Sequence, residues 1–177
     1  MKTRQLCSAA LLAALTAVCS QLTIPTPWQV PISMSTFAVF LSGALLGVKW
    51  GTAAQGVYLL LGLVGVPVFS GMRGGAQVLA GPTGGYLIGY LAAAAVTGAL
   101  LAHSRARWML PVSMAAGLAA CYAFGTAWYM VQGGVALVPA LSMCVLPFLP
   151  GDALKIAAAS LIAGRIGMLR FGESQTV

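Results

Sequence analysis

The chain has 177 residues, of which 60% are hydrophobic and only 6% charged, and its net charge is +7. A soluble domain carries about 25% charged residues, so the composition excludes one and fits a single compact integral membrane domain over residues 1–177. The basic residues sit at the ends of apolar runs and form no continuous stripe, which argues against nucleic acid and matches the positive-inside pattern instead.

Lys2 and Arg4 precede an apolar run over residues 6–24. A signal peptide has an apolar core of about 7–15 residues, and this run is longer, so it is read as a first membrane helix over residues 6–23. Ala9, Ala13 and Ala17 fall on one stripe of it, Ala10 and Ala14 on the next. Small residues four apart let another helix approach closely, either within this chain or from a partner. Pro25, Pro27 and Pro31 then forbid a helix, and Trp28 is placed at the membrane interface. A short second helix over residues 36–48 meets a Lys49-Trp50-Gly51 turn, and a third continues to residue 66. Gly43, Gly47 and Gly51 mark close helix contact.

Residues 67–86 are rich in glycine, with Arg73 as their only charge. Neither GxxxxGK[ST] nor GxGxxG occurs there, so no nucleotide cradle is expected. Irregular backbone at a membrane face is tolerated where it is buried or lines a cavity. A fourth helix over residues 83–102 carries another close-approach stripe, Gly81, Gly85 and Gly89. A basic loop at 103–108 follows, then a fifth helix over 110–131, whose Tyr122, Trp128 and Tyr129 form interface belt or pocket wall. Residues 132–147 read as an irregular outer loop, and a sixth helix spans about 151–168.

The chain holds two acidic residues, and Glu173 lies in the tail, so Asp152 is the only carboxylate available to an embedded site. Lys155 follows at i+3 on the same helix face. Each charged group costs roughly 2.5–3.5 kcal/mol at bilayer depth, so a partner is expected: each other, or a ligand bonding both. With six helices and cytoplasmic termini, Lys2, Arg4, Lys49, Arg105, Arg107, Arg165 and Arg170 share the inner side, and every proline but Pro111 lies outside. The outer face then carries long, weakly polar loops over one buried Asp–Lys pair, a capped pocket for a small, mostly uncharged molecule. Asp152 can accept from two N–H groups, Lys155 only donates, and Arg73 can take a carboxylate at the rim. Three readings are open: a component that binds a small, mostly uncharged solute, a small proton-coupled carrier with Asp152 titrating, and a scaffold with a purely structural pair. No nucleophile–base constellation suggests an enzyme. Cys7, Cys19, Cys121 and Cys144 lack metal-ligand spacing and read as small apolar residues.

The run Gly65-Val-Pro-Val-Phe-Ser-Gly71, then Gly74-Gly75, Gly81-Pro-Thr-Gly-Gly-Tyr86, and Pro147-Phe-Leu-Pro-Gly-Asp152-Ala-Leu-Lys155 resemble the BioY family, as does Val30-Pro-Ile-Ser in the first loop. These are the biotin-specific substrate-binding (S) components of energy-coupling factor (ECF) transporters. The resemblance covers nearly the whole chain and departs from the family pattern at Ser35, where a glutamine is expected. It implies an all-α membrane protein of six transmembrane helices, its outer loops capping a biotin pocket. Asp152, Lys155, Arg73, Gln77, Thr83 and Tyr86 are the implied substrate contacts, with the ureido ring on the Asp–Lys pair and the valerate at Arg73, or the valerate at Lys155 in the reverse pose. It further implies the bacterial cytoplasmic membrane, a transmembrane coupling protein docking on Ala9, Ala13 and Ala17, and cytoplasmic ATP-binding-cassette ATPases as partners. No cofactor is implied, because ATP is used by those partner subunits.

Overall fold

The computed structural model describes residues 2–27, 30–104 and 106–173, without the side chains of Lys2 and of residues 167–173. The expected positions of Trp28 and Arg105, and of the Arg170 side chain, lie outside the described residues. Seven helices and one two-stranded ribbon make up what is described. The first helix, α1 (Lys2–Gln21), ends at the proline-rich loop. Within that loop β1 (Thr23–Ile24) pairs antiparallel with β2 (Ile32–Ser33), Thr23 opposite Ser33. The Thr26 hydroxyl donates to Val30 O at 2.7 Å and ties the loop across its tip.

The next element, α2 (Ser35–Leu63), consists of two helical legs that fold back on each other at Gly47, where φ is 73° and ψ is −172°. A left-handed φ of this kind is available to glycine at little cost. Gln55 Nε2 donates to Ser42 Oγ at 2.9 Å. Thirteen residues along a straight helix would separate these groups by roughly 20 Å, so the two legs run antiparallel. Two helices were expected here with a turn at Lys49-Trp50-Gly51; two legs are present, but the break between them falls at Gly47 and Lys49–Gly51 are helical.

A five-residue helix, α3 (Ala76–Ala80), sits in the glycine-rich stretch, and α4 (Gly84–His103) and α5 (Met109–Gly133) follow. These two pack most closely where Gly85 and Gly89 of α4 meet Trp128 and Cys121 of α5, as the glycine stripe predicts. The expected outer loop at 132–147 contains a further helix, α6 (Leu137–Cys144), joined to α7 (Leu149–Glu173) through a 52° bend. Pro139 lies in the first turn of α6, where a missing N–H breaks no helical bond.

Helices α1, α2, α4 and α5 are each long and apolar enough to cross a membrane, and the bent α6–α7 pair adds a fifth candidate. Large apolar side chains such as Leu11, Val18, Leu60, Leu154 and Leu161 face outward. Ala9 and Ala13 do not: at 4% and 2% exposure they belong to the chain's own core, with Ala17 packed against it. Ala9 and Ala13 are thus engaged within the chain. Of the stripe's two possible uses, contact within the chain is the one they serve, because a residue enclosed by its own fold offers nothing to a second helix.

One end of the bundle gathers the ribbon, the segment from residue 64 to α4, and α6. That segment is pinned by Phe69, whose ring occupies the space beside Gly62: a Cβ there would fall 2.0 Å from Phe69 Cζ. Phe69 also meets the Tyr58 ring edge-on at 5.6 Å. The end of α1 clasps the same segment, with Ser20 Oγ donating to Val68 O and Gln21 Oε1 accepting from Met72 N. The opposite end holds the start of α1, the Gly47 fold-back, the α4–α5 connection and the end of α7.

Candidate functional site

Four elements converge on Asp152 and Lys155. Both stand in the first turns of α7, which starts at Leu149 with Asp152 N donating to Phe148 O at 2.8 Å. Pro150 falls in the first turn, where it fits, and an acid so near a helix start is favoured by the macrodipole. The side chains meet as the i, i+3 spacing predicts, with Lys155 Nζ 2.7 Å from Asp152 Oδ1. They are 1% and 6% exposed, so this pair is held away from water.

A buried ion pair is tolerated only when its remaining donors and acceptors are also bonded. Here they nearly all are. Lys155 Nζ donates to Ser33 O of β2 at 2.6 Å and to Thr36 Oγ1 of α2 at 3.3 Å, which together with Asp152 uses its three hydrogens. The Thr36 hydroxyl in turn donates to Asp152 Oδ1 at 3.1 Å. The second carboxylate oxygen, Oδ2, accepts from the Tyr122 hydroxyl of α5. Oδ1 therefore carries two bonds and Oδ2 one. The free acceptor position on this carboxylate is on Oδ2.

The pair forms the floor of a narrow cavity of about 50 Å³. Its wall is mostly apolar and aromatic: Phe69, Leu87, Tyr86, Tyr90, Cys121 and Phe148. The aromatic hydroxyls are tied down. Tyr86 donates to Cys144 O at 3.3 Å, and Tyr90 shares a 2.7 Å hydrogen bond with Ser35, which is bonded to Ser33. Ser35 thus supports the wall from behind.

Arg73 stands at the mouth, exposed, with Nε donating to Ser70 O at 3.1 Å. It is presented by a tight reversal in which Phe69 and Arg73 exchange backbone hydrogen bonds of 2.9 and 3.3 Å. Thr83 and Tyr86 line the cavity as well. Gln77 lies outside it, in a second groove further out, where its Nε2 donates to Gly74 O at 3.0 Å. Of the six expected contacts, five therefore gather at the cavity and one at the groove.

Three partners of the ion pair were not singled out from the sequence. The sequence places Tyr122 in belt or pocket wall and Ser33 in the Val30-Pro-Ile-Ser motif without linking either to Asp152 or Lys155, and Thr36 carries no signal of its own. A hydroxyl in an apolar helix marks a pocket only when its neighbour is known, and Asp152 lies 30 residues from Tyr122 and 116 from Thr36.

The BioY family model matches residues 1–170 of this chain. The biotin transporter BioY of Thermotoga maritima is 43% identical over 169 residues, covering 94% of this chain and 97% of that protein. The biotin transporter BioY of Rhodobacter capsulatus is 36% identical, covering 83% of this chain and 84% of that protein. Among solved structures, the S-component for biotin from an ECF-type ABC transporter matches with a TM-score of 0.86 at 30% identity, covering 94% of this chain and 92% of that one.

Proposed function

This chain belongs to the BioY family, and we propose that it captures biotin as the membrane-embedded S component of an ECF-type transporter. The observation that carries the reading is the buried Asp152–Lys155 pair on the floor of an otherwise apolar cavity. Biotin presents a ureido ring with two N–H donors and one carbonyl, an apolar bicycle, and a valerate tail. One N–H meets the open acceptor position on Asp152 Oδ2. The carbonyl takes a hydrogen from Lys155, whose 3.3 Å bond to Thr36 is the longest of its three and the easiest to trade. The bicycle and alkyl chain lie against Phe69, Tyr86, Tyr90 and Leu87. The valerate points outward to Arg73, a donor-only group suited to a carboxylate. Thr83 and Tyr86 bound the tail, and Gln77 meets whatever projects past the mouth.

The fold-back of α2 splits that helix into two crossings, which with α1, α4, α5 and α7 makes six. The basic residues then place both termini in the cytoplasm and the cavity outside. Energy comes from partner subunits: a coupling protein in the membrane and cytoplasmic ATPases. The exposed Ala10 and Ala14 of α1, rather than the enclosed stripe beside them, are free for such a contact. A proton-coupled carrier would need a carboxylate free to relay protons, and Asp152 is locked to an ammonium instead.

Equilibrium binding of labelled biotin to the purified chain tests the reading, with ATP hydrolysis followed in the same sample. Saturable binding without hydrolysis is expected. Failure of a folded sample to bind biotin would overturn it.

A further inference from the structure

We propose that the same site also accepts biotin amides, in which the valerate carboxyl is joined to an amine, and that the attached group lies in the outer groove. The inference rests on the reading of the cavity as a biotin site with the ring inward. The ring's partners are the deepest groups, with Asp152 1% exposed, while Arg73 at the tail end is open to solvent. Whatever is attached to the tail is therefore directed out of the protein rather than into a wall.

The cavity and the groove beyond it adjoin and share part of their lining. Pro31, Ser70, Arg73, Val78 and Thr83 line both. The groove is the larger space, about 720 Å³. It runs between the first loop, which supplies Thr23, Pro25 and Thr26, and the segment carrying Met72, Gly74 and Gln77. Among its described lining residues, Arg73 is the only charged one. The rest of its polar surface is hydroxyl and amide, which suits a neutral linkage and a polar chain.

Arg73 donates and never accepts, so it bonds an amide carbonyl as it would a carboxylate oxygen. The amide forfeits only the charge assistance, which roughly doubles the strength of such a bond. A site that recognised biotin by enclosing its carboxylate would reject the amide outright; an arginine on an open rim does not.

The test uses the full-length purified protein and displacement of labelled biotin by three probes. These are biotin N-methylamide, biotin joined to the ε-amine of lysine, and biotin methylated on a ureido nitrogen. Both amides should displace the label within about thirtyfold of biotin's own affinity, whereas the ring-methylated probe should be weaker by more than about a hundredfold. Pro25→Trp and Thr23→Trp each narrow the groove away from the cavity. Each should weaken the lysine amide by roughly tenfold or more, leaving biotin and the N-methylamide within about threefold of their original values. If biotin binds and the lysine amide does not compete, the groove proposal fails and the biotin reading stands. Competition unaffected by either tryptophan would overturn the groove as its seat. Absence of biotin binding would remove both.

Discussion

Asp152→Asn preserves shape and removes charge. In the present arrangement Oδ1 holds Lys155 and Thr36 while Oδ2 holds Tyr122 and keeps one acceptor position for the ligand. The asparagine carbonyl can still face Lys155 and Thr36. Its NH2 then faces Tyr122 and the incoming ureido N–H, so two donors meet where donor and acceptor met before. An unsatisfied buried polar group costs roughly 1–3 kcal/mol, and more if charged. Each 1.4 kcal/mol is tenfold, so biotin affinity should fall by about tenfold to a few hundredfold. Stability changes too, because Lys155, 6% exposed, loses its counter-charge; breaking one side of a buried pair costs about 3–5 kcal/mol. Lys155→Met should weaken binding for the complementary reason. The double variant Asp152→Asn/Lys155→Met removes both charges and should recover much of the melting temperature without recovering affinity. Isothermal titration and thermal melts on each purified variant read the two effects separately. Unchanged affinity in a well-folded Asp152→Asn protein would refute the assignment of this carboxylate to the ligand.

Tyr122→Phe deletes one hydrogen bond to a charged acceptor, a loss of about 1.5–3 kcal/mol, and should weaken biotin by roughly ten- to a hundredfold in the same titration. Gly62→Ala places a methyl where the Phe69 ring sits, so the ring must leave its slot. Overpacking of this kind costs about 1–3 kcal/mol, visible as a lowered melting temperature together with weaker binding, since Phe69 is also cavity wall. In a Cys7→Ser background, a cysteine at Gln132 should react with an impermeant reagent added outside the cell and one at Ser104 should not; the reverse pattern would invert the topology.

The floor of the cavity was legible because acids are so scarce. With one embedded carboxylate, and a lysine three residues on, the composition leaves a single location for a polar site. The helix packing was legible where glycines recur at four-residue spacing, as at Gly85 and Gly89 against α5. What surrounds the ion pair was not. Thr36, Ser33 and Tyr122 are ordinary residues in their own segments and become ligands of the pair only through long-range packing. Proline and glycine misled at residues 132–147, since a proline in the first turn of α6 is compatible with the helix it was taken to forbid. The alanines of α1 show a further limit. Spacing identifies a surface made for close approach, but Ala9 and Ala13 show that it does not say which helix approaches.

The fold-back at Gly47 also bears on the lipid around the protein. The first leg of α2 is enclosed by its neighbours, so its shortness exposes nothing. The second leg, about 16 residues from the break to Leu63, rises only about 24 Å, and its Val57, Leu60, Leu61 and Leu63 face outward. A bilayer core is roughly 30 Å thick, which leaves several ångströms of hydrophobic mismatch along this flank. The membrane must pinch there, or Lys49 must reach past the shortfall to the headgroups at its own end. Either adjustment costs fractions of a kcal/mol per ångström, so the protein is tuned to acyl-chain length on one side of its circumference and should melt higher in short-tailed lipid than in long.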